Sequence, residues 1–185
     1  TVYAGIEPPA LFRSEDGGQT WSEIAGIRKV PFSNLWWGPF GAAFVTTIAF
    51  DPKDPATMIL GVSGGAGVVE SHNSGKTWQS ALAGMTTLME TRDKKWKKVL
   101  IKSRAIPSRL AKKGVFVDVH KLRVHPKNAH ILYTVNHEGS FMSVTGGTRW
   151  RAMKNGLPAA CSRTLAVHPN NPRMAWMIPL PGNHK

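Results

Sequence analysis

An all-β protein of repeated four-stranded antiparallel units is the fold the sequence predicts, on three observations. Eighteen glycines and thirteen prolines among 185 residues supply the turns that many short strands need. A hairpin pattern of two apolar strands around a Pro/Asn/Asp turn recurs three times. A Ser- and Gly-rich turn that ends in tryptophan recurs with it.

The hairpins are "IAFDPKDPATMILGV" (Ile48–Val62), "LRVHPKNAHILYTVN" (Leu122–Asn136) and "LAVHPNNPRMAWMIP" (Leu165–Pro179). The opening "TVYAGIE" matches the second strand of that hairpin, so the chain starts in mid-unit. The turns are "SEDGGQTW" (Ser14–Trp21), "SHNSGKTW" (Ser71–Trp78) and "SVTGGTRW" (Ser143–Trp150). Each follows a third strand and precedes a short fourth one. Four-stranded antiparallel units in series are the blades of a β-propeller. The chain holds a partial blade, two full ones and another partial one, about three to four in a single partial domain over residues 1–185. Closed propellers take about 4–8 blades, so the count predicts either a longer protein or assembly of copies.

Within each turn, Asp16 and Ser14 are placed to bond turn amides, and Gly17 or Gly18 supplies the positive φ. Trp21, Trp78 and Trp150 are expected in equivalent packed positions between blades. Ser14 to Trp21 is a full match to the Asp-box, and the chain resembles the Asp-box (bacterial neuraminidase repeat) propellers. Asn73 and Thr145 replace the aspartate in the later copies, and Arg149 replaces the threonine in the third. The resemblance covers most of the chain except Arg28–Phe44 and Met85–Val117. It implies a fold rather than an activity, since sialidases, xyloglucan-degrading hydrolases, sortilin-type receptors and photosystem II assembly factors all carry such boxes. It also implies that the box turns lie on the face away from the ligand. The box is scaffolding.

Chemistry is expected at the opposite end of each blade, where the strand 2–3 and strand 4–1 loops emerge. The repeat alignment places Thr46, His120 and Arg163 at the start of the innermost strand. It places Glu7, Ser63 and His137 at the end of the second strand. Asp118 lies two residues before His120, on the same face of a strand. Glu7, Asp118, His120, His137 and Arg163 are therefore the candidate ligand-binding group, with Glu7 and Asp118 the candidate catalytic carboxylates. His125 and His168 occupy the turn position of Asp51 and read as structural. No H-x-x-x-H spacing supports a metal site and none is expected, although His120 and His137 can share an ion if the fold brings them together. No cofactor is implied.

Two loops add further candidates. "RKVPFSNLWWGPFGAAF" carries Trp36 and Trp37, which are suited either to stacking on sugar rings or to covering a blade edge. The insertion over residues 85–117 holds ten Lys or Arg residues between Arg92 and Lys113 and accounts for much of the net charge of +13. Leu88, Trp96, Val99 and Leu100 fall near one stripe and predict a short amphipathic helix there, with lysines opposite. The stretch Arg92–Lys113 is expected to be solvent-exposed and poorly packed apart from Trp96 and its apolar neighbours, dispensable for the blades and able to contact a polyanion.

Sialidase chemistry is disfavoured. Tyr3 and Tyr133 share an apolar strand position with Ile59 and Trp176 and read as core. "RAIP" (Arg104–Pro107) is a loose echo of the sialidase Arg-Ile-Pro motif inside the basic insertion. A non-enzymatic binding or assembly propeller, recognising carbohydrate or a protein partner, fits the degraded boxes best. The alternative is a glycoside hydrolase using a carboxylate pair. Lone Cys161 excludes an internal disulfide and reads as a buried inert thiol. No apolar run reaches the about 18–20 residues of a membrane helix, and "TVYAGIEPPA" reads as a strand rather than a signal peptide.

Overall fold

The computed structural model of the chain describes residues 1–31, 33, 36–38, 41–90, 96–102, 115–159 and 161–180. Two complete four-stranded antiparallel sheets dominate it. One pairs β6 (Phe44–Phe50), β7 (Met58–Ser63), β8 (Gly67–Ser71) and β9 (Gln79–Ser80) in that order. The other pairs β13 (Lys121–His125), β14 (Asn128–Asn136), β15 (Gly139–Ser143) and β16 (Arg151–Met153). Before them lies a three-stranded sheet of β1 (Val2–Ile6), β2 (Ala10–Ser14) and β3 (Ser22–Glu23). After them comes the hairpin β17 (Ala166–Val167) and β18 (Ala175–Trp176). The described residues are thus blades 1 to 4 of a partial β-propeller, with blades 1 and 4 incomplete.

The same local chemistry builds each hairpin. Asp51 Oδ1 accepts the Lys53 amide at 2.8 Å, and His125 and His168 use Nδ1 to accept the amides of Lys127 at 3.3 Å and Asn170 at 3.0 Å. Asp54, Asn128 and Asn171 then each accept the amide two residues on, at 3.0–3.1 Å. The two histidines are turn residues.

The tryptophan turns are equally alike. Ser14, Ser71 and Ser143 accept the amides of Gly18, Gly75 and Gly147 at 2.8–3.0 Å. Asp16, Asn73 and Thr145 accept the amides of Thr20, Thr77 and Arg149 at 2.9–3.1 Å. Asparagine and threonine therefore keep the geometry that the aspartate sets. Each turn needs two successive positive-φ residues, and Ser74 at φ 57° takes the first of them without being glycine.

Packing follows from the alternation of side chains along the second strand. Met58, Leu60 and Val62 face blade 1 with Leu11, Ile27 and Trp78, whereas Ile59 faces blade 3 with Leu82, Leu132, Phe141 and Trp150. A third cluster joins Tyr133, Val135 and Met142 to Leu165 of blade 4. Trp78 and Trp150 thus bury themselves against the preceding blade, at 8% and 3% exposed. Trp21 is 41% exposed, contrary to the expectation of an equivalent packed position, because no blade precedes its own among the described residues. Trp176, at the strand position of Ile59 and Tyr133, is 52% exposed for the converse reason.

The insertion is a sheet, not a helix. Thr86–Glu90 (β10) pairs antiparallel with Trp96–Leu100 (β11) and with Val115–Phe116 (β12). β-Branched Thr86, Thr87 and Val99 favour extended backbone, and cross-strand pairing replaces the helical stripe that Leu88, Trp96, Val99 and Leu100 suggested. Met85, Ile101 and Val117 enter the core between blades 2 and 3 and so anchor the insertion at both of its ends. Residues 91–95 and 103–114, which carry most of the basic run, lie outside the described residues. A 3-10 turn, Ala25–Lys29, lies outside the insertion, and its Gly26 abuts the backbone of the Gly75 turn. A small hairpin of β4 (Trp37–Gly38) and β5 (Gly41–Ala42) precedes β6.

Candidate functional site

The strand direction sorts the candidates. β2 runs from the Glu7 turn to the Ser14 turn, so Glu7 and Asp16 stand at opposite ends of blade 1. Ser63 and His137 follow or end β7 and β14 at the Glu7 end, and Asp118 and His120 lead into β13 there. Ser162 and Arg163 lead toward β17 at the same end. Three consecutive blades therefore deliver side chains to one place.

Asp118 is the hub. Its Oδ2 lies 3.1 Å from His120 Nε2 and 3.0 Å from His137 Nε2, while its Oδ1 accepts a hydrogen bond from the Ser63 hydroxyl. The second nitrogen of His120, Nδ1, lies 2.7 Å from the Ser162 carbonyl oxygen, which can only accept. The two rings meet edge to face with centroids 4.3 Å apart. Cys161 Sγ lies 3.7 Å from His137 Nδ1. The side chains of His120, His137 and Asp118 are 9%, 17% and 21% exposed, so the group is partly buried and reachable by water.

The electrostatics follow from these contacts. Burial, the largest single influence, pushes the Asp118 carboxyl up, but hydrogen bonds from His120, His137 and Ser63 outweigh it and hold it well below the carboxylate range. Burial likewise pushes His120 down, and its bonds to Asp118 and the Ser162 carbonyl, with the Asp118 charge, carry it above its ordinary value. The Arg163 charge opposes that rise. Burial raises the Cys161 thiol. The order thiol, imidazole, carboxylate is that of a nucleophilic triad, but a thiol pushed upward is the reverse of an activated one.

A pH prediction follows for chelator-treated protein. The raised His120 contributes stability that is fully present below its ordinary 6.5 and is lost as pH rises through its folded value. The lowered Asp118 contributes stability that is fully present above 3.8 and is lost as pH falls through its folded value. The thermal midpoint is expected to be flat between those two pH values and to decline on both sides. Asp118→Asn should flatten the alkaline shoulder and shrink the acid one, to which Asp16 and Asp54, also held low by hydrogen bonds in their turns, contribute; an alkaline shoulder unchanged in that variant would assign it to another group.

Glu7 is exposed in the turn between β1 and β2 and is not one of the donors grouped within 4.8 Å around Asp118. Arg163 is exposed but close enough for its charge to act on His120 and Cys161. Trp36 is half-buried against Gly65, where a Cβ would come within 2.9 Å of its ring. Nothing is described of the Trp37 side chain. Sequence reasoning aligned Ser63 with Glu7 and His137 but gave it no role, and it passed over Ser162. Beside His137, at the same end of blade 3, a cavity of about 360 Å³ is lined by Glu138, Ser140, Phe141, Ala152, Lys154 and Leu157.

With that geometry in place, known proteins offer limited likenesses. No family model matches the chain. An oligoxyloglucan-reducing end-specific xyloglucanase of Emericella nidulans is 26% identical over 81 residues, which cover 43% of this chain and 9% of that protein. Among solved structures, a GH74 xyloglucanase from Xanthomonas campestris has a TM-score of 0.41 at 16% identity, over 95% of this chain and 33% of that one. An ancestral GH74 enzyme gives 0.38 at 13% identity, over 86% and 23%. YCF48 bound to D1 peptide gives 0.27 at 14% identity, over 92% and 69%. The chain spans about a tenth of the curated relative it matches and a third of the first of these structures. Among the described residues no helix is long and apolar enough to cross a membrane.

Proposed function

We propose that this chain belongs to an Asp-box-type propeller that binds a carbohydrate or protein partner through its loop-rich end, without hydrolysing it. The observation that carries this reading is the state of Asp118. A glycosidase acid must keep its proton near neutral pH, and its partner carboxylate must stand across the bond from it. Asp118 is held ionised by three donors, and both its oxygens are engaged. Glu7 lies outside that group and is exposed. Asp118 is therefore not the acid.

What favours binding is the cavity beside His137. It falls in the size range of small-ligand sites, about 300–1,000 Å³, and sets Glu138, Ser140 and Lys154 beside apolar Phe141, Met153 and Leu157. The hydrolase alternative draws on the partial likeness to a xyloglucan-cleaving enzyme and would make xyloglucan oligosaccharides the first substrates to try.

Incubation with xyloglucan oligosaccharides, other polysaccharides and aryl glycosides is expected to release no product, while a glycan array or peptide array gives retention. Turnover abolished by Glu7→Gln or Asp118→Asn would establish the hydrolase instead.

A further inference from the structure

We infer that Asp118, His120 and His137 form a binding site for a divalent transition-metal ion, zinc by the character of its donors. Two imidazole nitrogens and one carboxylate oxygen lie within 4.8 Å of one another. Tetrahedral zinc with bonds of about 2.0–2.1 Å holds neighbouring donors about 3.3 Å apart. The observed separations from Asp118 Oδ2, 3.0 and 3.1 Å, need open by only a few tenths of an ångström. Nitrogen donors select zinc and its transition-metal neighbours over magnesium and calcium, which take oxygen.

The outer contacts are those that metal ligands use to hold their orientation. Ser63 occupies the other carboxylate oxygen, and the Ser162 carbonyl occupies the other nitrogen of His120. Because that carbonyl takes up Nδ1, the ring is held with its other nitrogen, Nε2, facing the Asp118 oxygen. Partial exposure leaves room for a water to complete the coordination. Asp118 and His120 are presented from one short segment and His137 from the end of β14. Ser63 comes from blade 2 and Ser162 from the approach to blade 4, so the ion would tie three blades together.

The test uses the 185-residue chain freed of metal with a chelator and titrated with zinc sulfate alone by calorimetry. One zinc ion per chain is expected, with a rise in the thermal midpoint. His137→Gln and Asp118→Asn should each weaken binding by about tenfold or more, and Ser63→Ala by a smaller factor. In unsubstituted protein, nitrogen-15 spectra should show zinc moving the Nε2 signals of His120 and His137 while His125 and His168 stay in place, an assignment that no misfolded variant can blur. Cobalt in place of zinc should give a tetrahedral visible spectrum without a thiolate charge-transfer band. No uptake, uptake unchanged in both variants, unmoved His120 and His137 signals, or a thiolate band from Cys161 would each overturn the site.

Discussion

Alanine at Trp150 is expected to cost about 3–5 kcal/mol of unfolding free energy, whereas alanine at Trp21 should cost less than about 1 kcal/mol. The two tryptophans end matching turns, yet their surroundings differ. Trp150 is packed among Ile59, Val68, Leu82 and Phe141, and its indole nitrogen donates to the Ala81 carbonyl at 2.8 Å. Removing it empties the interface between blades 2 and 3 and strips a buried carbonyl of its partner. Trp21 donates to the Gly18 carbonyl of its own turn and leaves 41% of its surface in water. Trp78 also bonds within its own turn, to Gly75, but is buried against blade 1, so Trp78→Ala should fall near the Trp150 value. Urea denaturation of the three variants checks the order. Equal losses at Trp21 and Trp150 would mean that the turns, rather than the contacts between blades, hold the molecule together.

That contrast shows what a repeat can and cannot convey. The blades were legible because turn chemistry is local: Asp51, His125 and His168 make the same bond to the same amide, and the sequence aligns them directly. The burial of Trp21 was not legible, because it depends on a neighbouring blade rather than on the turn. In the insertion the apolar positions Leu88, Trp96, Val99 and Leu100 fit a helical stripe on paper. The strand pairing of Thr87 with Val99 and of Leu88 with Lys98 is a cross-strand relation that no single-segment periodicity reveals.

The candidate site divides along the same line. Asp118 and His120 share a face by their spacing of two, and the alignment sent His137 to the same end of the blade, so their meeting followed from the repeat. Glu7 occupies the aligned position of His137 two blades away, and alignment treats blades as equivalent without measuring the distance between them. Ser162 acts through its backbone carbonyl, which every residue has, and so left no mark in the sequence. Cys161 was read correctly as buried, but its approach to His137 is a contact between blades 3 and 4.

Among the described glycines, Gly84→Ala should be the most damaging substitution by alanine, with a loss of about 3 kcal/mol or more. Gly84 follows the fourth strand of blade 2 at φ 94°, a conformation that L side chains rarely adopt. A Cβ there would overlap the Trp150 carbonyl oxygen and lie 2.9 Å from the carbonyl carbon. Backbone atoms cannot rotate aside as a side chain would. They are also pinned, since the Trp150 amide donates to Ala83 at 2.6 Å and the Gly84 amide donates to Ile101 at 2.7 Å. Relief would require blade 3 to move off blade 2, taking Trp150 with it. Gly156 separates the two causes: its φ is 76°, but nothing lies within 4 Å of a Cβ built on it. Gly156→Ala therefore carries only the conformational cost, about 1–2 kcal/mol. Comparing the two by chemical denaturation isolates the contact between blades, and equal losses would show that Gly84 is conserved in shape by its φ alone.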